Sequence, residues 1–207
     1  MKNRTELFTE SVEQLCDRLA SKDITAASDT LGVRAGDQSL AVPLYGSFYL
    51  VSAQGVLAPS GNNANPAVSV LLLTYVLNCP DQLPSEGEWI TFREFRGAGV
   101  LSGYVTQNTN KIIETTFSGK LEELRRSALQ LGGIPSEDFS NFDLAMEFKA
   151  LPRVPVVLRF NDADGRYPAQ CSILFRRSAE IFLDLESIGI TGTLLTGNLI
   201  KGCAAPA

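Results

Sequence analysis

Histidine is absent from this chain of 207 residues. Its absence excludes Ser-His-Asp and Cys-His nucleophilic catalysis. It also excludes His-ligated zinc, the two-His-one-carboxylate iron site and a His-ligated haem. Acid–base chemistry would therefore fall to Asp, Glu, Lys, Tyr or Cys side chains with shifted pKa values.

Cysteine is sparse, and no two cysteines form a CxxC pair. The four are Cys16, Cys79, Cys171 and Cys203. This spacing gives no support for a zinc knuckle or a locally bound iron–sulfur cluster, and it predicts no metal site. We expect reduced thiols, with the first three as small core residues. Cys203 falls on a predicted frayed tail, and whether its thiol reacts stays open.

The chain also lacks an excess of positive charge and a long apolar run. Eighteen basic residues against 23 acidic ones give a net charge of −5. Such a chain repels phosphate backbones, so no nucleic-acid partner is expected. The longest apolar stretch, at 68–77, is far shorter than the ~20 residues of a membrane span. The N-terminus has no signal-peptide pattern. We predict a soluble, cytoplasmic protein with no membrane partner.

Nucleotide-binding and calcium-binding motifs fail on inspection. The "SGK" at 118–120 has Glu114 where a phosphate loop needs glycine, and Leu121 where it needs Ser or Thr. The "GAG" at 97–99 is followed by Ser102 where a dinucleotide fingerprint needs its third glycine. The "DADG" segment lacks the first and last ligands of a calcium loop.

The hydrophobic pattern in the first 65 residues predicts helices followed by short strands. Helical spacing favours a helix over 5–21 and a second short helical piece ending at Gly32. From 39 to 61 the period changes to two, which predicts two or three strands with turns at Gly46 and at Gln54-Gly55. "NPAVSVLLLTYVL" then predicts a buried helix, which Asn65 caps, Pro66 opens and Pro80 stops.

The second half alternates strand and helix signals. "NFDLAMEFKAL", "RVPVVLRFN" and "AQCSILF" predict strands. "GKLEELRRSALQLGG" and "SAEIFLDLESIGITGTLLTGNLI" predict helices, the latter with Asp184 as an interior N-cap, and 104–118 is weakly helical. The sum is an α+β fold, a single domain with an antiparallel sheet packed with helices. It divides into an N-terminal helix and short strands (1–65), a core (66–200) and a tail (201–207).

The stretch "EGEWITFREFRGAG" at 86–99 holds the one tryptophan and is the strongest candidate for a site. A strand over 88–95 would direct Trp89, Arg93 and Phe95 to one face, where they could stack on and clamp a flat anionic ligand. The candidate ligand-binding residues are Trp89, Arg93, Phe95, Arg96, Gly97 and Gly99. The alternative is a strand that runs into a turn, with the aromatics in the core.

Three segments carry a resemblance to a known family. They are "GEWITFREFRGAG", "ALQLGGIPSEDFSNFDLAMEFKALPRVPVVLRFNDADGRYPA" and "CSILFRRSAEIFLDLESIGITGTLL". Together with the buried helix they resemble the prokaryotic domain of unknown function 3786 over roughly 66–200, whereas the N-terminal third fits only in outline. The resemblance implies a cytoplasmic protein of anaerobic prokaryotes without an assigned reaction. Some relatives carry a cysteine-rich iron–sulfur domain, which implies one-carbon or redox metabolism.

Three functional hypotheses follow, and none specifies a cofactor. The first is a non-catalytic small-ligand-binding or accessory module that holds a small anionic ligand or docks on a metalloenzyme, with no catalytic residues. The second is a histidine-independent enzyme using carboxylate, Tyr or Cys groups, whose clustered candidates are Glu94, Asp162, Asp164 and Tyr167. The third is a structural partner in a homo- or hetero-oligomer, which an exposed apolar patch would favour.

Overall fold

The chain folds as antiparallel sheets packed with helices, which confirms the predicted α+β class. The computed structural model describes residues 4–204, with side chains from 8 to 203. The strands form two sheets instead of the one expected, because the short strands before residue 58 pair only among themselves. Buried side chains from both sheets nevertheless belong to one continuous hydrophobic cluster.

The smaller sheet comes from the N-terminal part of the chain. Its strands are β1 (Arg34–Ala35), β2 (Leu40–Leu44), β3 (Ser47–Ser52) and β4 (Gly55–Leu57), in the order β1-β2-β3-β4. Tyr45 and Gly46 join β2 to β3, and both have positive φ, 46° and 80°. This is the backbone that a two-residue hairpin turn of matching twist requires. The turn predicted at Gly46 is confirmed, and the turn predicted at Gln54-Gly55 lies one residue earlier, at Ala53 and Gln54.

The larger sheet has five strands and covers the C-terminal part of the chain. They are β5 (Trp89–Thr91), β6 (Ile134–Pro135), β7 (Leu144–Leu151), β8 (Val154–Asn161) and β9 (Gln170–Arg176), in the order β5-β9-β8-β7-β6. The predicted alternation of β7 is confirmed, since Leu144, Met146 and Phe148 are buried. A short turn joins β7 to β8, as expected for a hairpin.

Helices pack around and between the sheets. They are α1 (Arg4–Ala20), α2 (Ser28–Leu31), α3 (Pro66–Leu77), α4 (Gly99–Asn108), α5 (Asn110–Phe117), α6 (Leu121–Gln130), α7 (Ala179–Phe182) and α8 (Leu185–Ala204). No helix within residues 4–204 is long and apolar enough to cross a membrane.

Helix α3 lies at the centre of the core, as its all-round apolar pattern predicts. The Asn65 side chain accepts a hydrogen bond from the Ala67 N–H at 2.9 Å, and Pro66 is the first helical residue. Every residue from 68 to 77 is buried. The helix contacts α1, α7, α8 and β4, so elements from both halves of the chain pack on it.

Helix α8 confirms one prediction and corrects another. The Asp184 carboxylate accepts a hydrogen bond from the Ser187 N–H at 2.7 Å, so it caps the helix from within the segment. The helix then continues through Ala204, and the tail predicted at 201–207 is wrong over 201–204. The added turn packs against α6: a Cβ built on Gly202 would lie 3.3 Å from the Ser127 Cβ.

The Tyr75 hydroxyl joins three parts of the fold. It donates a hydrogen bond to the Leu31 carbonyl at 2.8 Å and accepts one from the Arg153 N–H at 3.2 Å. Arg153 Nε in turn donates to the Thr30 carbonyl at 2.8 Å. The tyrosine is fully buried, so α3, the end of α2 and the β7–β8 turn depend on the same hydroxyl.

We predict that Tyr75→Phe lowers the free energy of unfolding by about 1–3 kcal/mol, because it leaves the buried Leu31 carbonyl and the partly buried Arg153 N–H without this partner. Urea denaturation followed by circular dichroism measures the change. Tyr49→Phe is the matched control, since Tyr49 is only half-buried and its hydroxyl makes no hydrogen bond among the described residues. Equal stability of the two variants would contradict the role assigned to Tyr75.

Candidate functional site: the Arg93 cavity

The strand predicted over 88–95 ends at Thr91, and the prediction is wrong beyond that residue. Residues Phe92–Glu94 form a 3-10 turn instead. The Glu94 carboxylate accepts hydrogen bonds from the Thr91 N–H at 2.7 Å and the Thr91 hydroxyl at 2.8 Å, which closes the turn. These bonds, the backbone one first, lower the pKa of Glu94. Its carboxylate is therefore a structural cap.

The turn changes which side chains share a face. Phe95 is buried, with its ring centroid 6.3 Å from that of Phe92 and 6.1 Å from that of Phe175. A 3-10 turn has three residues per turn, so Phe95 follows Phe92 into the core while Arg93 points to solvent. The expected Trp89–Arg93–Phe95 face does not form.

Trp89 already has a partner on one face of its ring. It lies opposite Arg176 in the β5–β9 pair, and the Arg176 guanidinium carbon is 4.0 Å from the ring centroid. Arg176 also donates to the Gly87 carbonyl at 3.2 Å and lies 3.4 Å from the Glu86 carboxylate. The Trp89–Arg176 pair thus fastens the edge strand, and this face of the indole is not open to a ligand.

Arg96, Gly97 and Gly99 lie on the connection into α4. Gly97 has φ of +81°, a conformation that favours glycine, and Gly99 is the first residue of α4. Arg96 is exposed and is not among the residues around the Arg93 side chain described next. The strand-to-turn alternative therefore describes these three positions, and Arg93 is left as the member of the set that faces a cavity.

Arg93 lies at a cavity of about 190 Å³ between β5, β9, α4, α5 and α8, which we call the Arg93 cavity. Its polar lining consists of Thr91, Arg93, Thr106, Thr109 and Asn110. Its apolar lining consists of Phe92, Val105, Ile173, Phe175 and Gly192. One guanidinium, three hydroxyls and a carboxamide therefore surround an apolar floor.

A break in the helix and a glycine shape this cavity. Thr109 lies between α4 and α5 with φ −129° and ψ −87°, so the two helices meet at an angle instead of continuing. Its hydroxyl donates to the Val105 carbonyl at 2.7 Å. On the facing helix, a Cβ built on Gly192 would lie 3.4 Å from Thr109 Cγ2 and 3.6 Å from Phe175 Cζ. A larger residue at 192 would narrow the cavity.

Arg93 differs from Arg176 and Arg177 in having no partner among the described residues. Arg177 Nε lies 2.5 Å from the Glu88 carboxylate, and Arg176 is paired with Glu86. Arg93 makes no hydrogen bond or ion pair with any residue that the structure describes. Its five N–H donors are thus free for a ligand, and their planar fork matches a carboxylate or an oxyanion.

A larger depression of about 510 Å³ lies between α1 and the turns of the smaller sheet. Its cation, Lys22, donates to the Leu77 carbonyl at 3.2 Å. Its lining also includes Asp23 and Asp37, which disfavour an anion. The Arg93 cavity is smaller, but it combines an unpaired cation with hydroxyls and a closed apolar floor.

The four residues proposed for a histidine-independent enzyme do not form one cluster. Asp162, Asp164 and Tyr167 lie in the β8–β9 turn, whereas Glu94 caps the turn after β5. Asp164 accepts hydrogen bonds from the Tyr167 and Arg166 N–H groups, which lower its pKa. No group of three or more His, Cys, Asp or Glu side chains in the described part of the chain could hold a metal ion.

The thiols are packed into the fold to different degrees. Cys171 is buried, while Cys16 and Cys79 are half-buried against the core. Cys203 lies on the last turn of α8, and its Sγ is 3.0 Å from the Glu123 carboxylate. The hydrogen bond and negative charge of Glu123 raise the pKa of Cys203, which disfavours the thiolate.

Comparison with known families places this α+β fold in an existing group. The chain belongs to the family described as Domain of unknown function (DUF3786), whose model matches residues 23–198. The match begins well before residue 66, so the smaller sheet belongs to the family domain as well as the core that the resemblance covered. Neither a search of curated proteins nor a search of solved structures gives a match.

We predict that Glu123→Gln accelerates alkylation of Cys203, because losing the carboxylate lowers the pKa of the thiol. The gain is up to about tenfold for each unit by which the pKa falls, measured below that pKa. Peptide mass mapping after timed iodoacetamide treatment at pH 8 separates Cys203 from the other cysteines. Glu122→Gln, a neighbouring exposed carboxylate, is the control, and equal acceleration in both variants would contradict the pairing.

Proposed function

We propose that this protein is a non-catalytic module that binds a small anionic ligand in the Arg93 cavity. The observation that carries the proposal is the unpaired Arg93 guanidinium beside three threonine hydroxyls and Asn110. A guanidinium binds a carboxylate or oxyanion through charge-assisted hydrogen bonds. The Thr106 hydroxyl and the Asn110 amide NH₂ can add donors, whereas the Thr91 and Thr109 hydroxyls already donate to Glu94 and to the Val105 carbonyl.

The size of the cavity limits the ligand. The cavity volume is about 190 Å³. This is below the ~300–1,000 Å³ of sites for drug-sized molecules. The part of the ligand held there is therefore an anionic group with a few attached atoms. Phe92, Ile173 and Phe175 supply an apolar surface for its carbon.

The hydrogen bonds that Glu94 already makes favour binding over catalysis. Glu94 is occupied by Thr91 and has a lowered pKa, so it is poorly suited to exchange protons near neutral pH. A metalloenzyme partner, a homo-oligomer and a setting in anaerobic one-carbon or redox metabolism stay predictions. They concern the partners of the module, whereas the Arg93 cavity concerns its ligand.

We predict that Arg93→Ala weakens the binding of small anions by about 10- to 150-fold. This corresponds to the ~1.5–3 kcal/mol of a hydrogen bond to a charged group. Ligand-observed NMR with acetate, glycolate and inorganic phosphate measures the affinities. Arg96→Ala is the matched control, since it removes an exposed arginine three residues away that does not line the cavity.

Two results would overturn the proposal. The first is an equal loss of anion affinity in Arg93→Ala and Arg96→Ala, because the loss would then come from long-range charge alone. The second is the absence of Arg93-dependent binding for all three anions. Thermal melting of each variant, followed by circular dichroism, establishes that the compared proteins are folded.

A further inference from the structure

A second cavity lies on the other side of α4 and is apolar. It has a volume of about 220 Å³, and we call it the α4–α8 groove. Its apolar side chains include Phe8, Leu101, Tyr104, Leu185, Ile190 and Leu194. Glu186 and Thr193 add its polar groups. The anion site proposed above does not explain why an apolar groove lies beside it.

The groove and the Arg93 cavity share one lining residue, Val105. Beneath it on α8, Gly189 lines the groove and Gly192 lines the Arg93 cavity. A Cβ built on Gly189 would lie 3.0 Å from Val105 Cγ2 and 3.8 Å from Phe92 Cε2. The two linings therefore meet where Val105 packs against Gly189, with the Phe92 ring close by.

Helix α4, which carries this valine, packs on α5 and α8 and buries little of its own surface in the described part of the chain. Val105 is its one buried residue, whereas α5, the next helix, buries both Ile113 and Phe117. Val100 on α4 is 93% exposed. The helix is bounded by Gly97 with positive φ and by the break at Thr109. A valine in a helix strongly prefers one rotamer, so a shift of α4 that separates Val105 from Gly189 is the movement that would join the two spaces.

We infer that the ligand is amphipathic, with an anionic head on Arg93 and a short apolar tail that passes Val105 into the α4–α8 groove. The inference rests on the proposed function of the Arg93 cavity and specifies the chemical class of its ligand, an alkyl or aryl carboxylate. Charge sets the orientation, because Glu186 beside the groove repels an anionic head while Arg93 attracts it.

The test is a series of straight-chain carboxylates from acetate to decanoate, titrated against the full chain. We expect affinity to rise about fourfold for each methylene that enters the groove, and to level off once the groove is filled. Arg93→Ala weakens every member of the series. Leu101→Gln leaves acetate binding unchanged and removes most of the gain with chain length. Val100→Gln, a neighbouring α4 residue outside the groove, behaves as wild type.

A second variant covers the case in which Leu101→Gln does not fold. Thr193→Phe fills the groove from an exposed position and should also remove the gain while acetate still binds. Arg93-dependent acetate binding with no gain along the series would overturn the amphipathic ligand and leave the anion site standing. If decanoate bound Arg93→Ala as tightly as wild type, the inference that one ligand occupies both the Arg93 cavity and the groove would be wrong. Absence of any Arg93-dependent binding would instead overturn the proposed function.

Discussion

The fold depends on the burial of α3. A helix that is apolar on all sides must be covered on all sides, and the chain covers it with α1, α7, α8 and the smaller sheet. Its backbone polar groups are satisfied within the helix and by the Asn65 cap, so burial leaves few unpaired groups. The Tyr75 hydroxyl then joins α3 to its surroundings, because it hydrogen-bonds the end of α2 and the β7–β8 turn.

The site arises where this packing becomes looser. The Thr91–Glu94 hydrogen bonds end β5 early and turn Arg93 outward while Phe92 and Phe95 remain in the core. The break at Thr109 and the missing side chain at Gly192 then leave the space that Arg93 faces. The feature that distinguishes this cavity is an arginine with no partner among the described residues, whereas Arg176 and Arg177 both have carboxylate partners.

Much of the fold could be predicted from local patterns, and the errors have physical causes. The α3 cap, the Asp184 cap and the alternation of β7 follow from residues close together in the chain. The end of β5 was missed because the capping pair Thr91 and Glu94 lies inside an alternating run. Its Thr-x-x-Glu spacing was the signal that could have revealed the turn. Of the six candidate site residues, only Arg93 faces the cavity.

The sequence by itself determined the α+β class, the buried helix and the exclusion of histidine chemistry, since composition, period and caps are local properties. The tertiary structure decided the separation into two sheets, the extension of α8 to Ala204 and the grouping of Thr91, Thr106 and Thr109 around Arg93. The cavity also contains Ile173, Phe175 and Gly192 from distant segments. The hydrophobic effect is non-directional, so it can bring together side chains that are far apart in the sequence. Only the packed tertiary structure decides which of them surround a cavity.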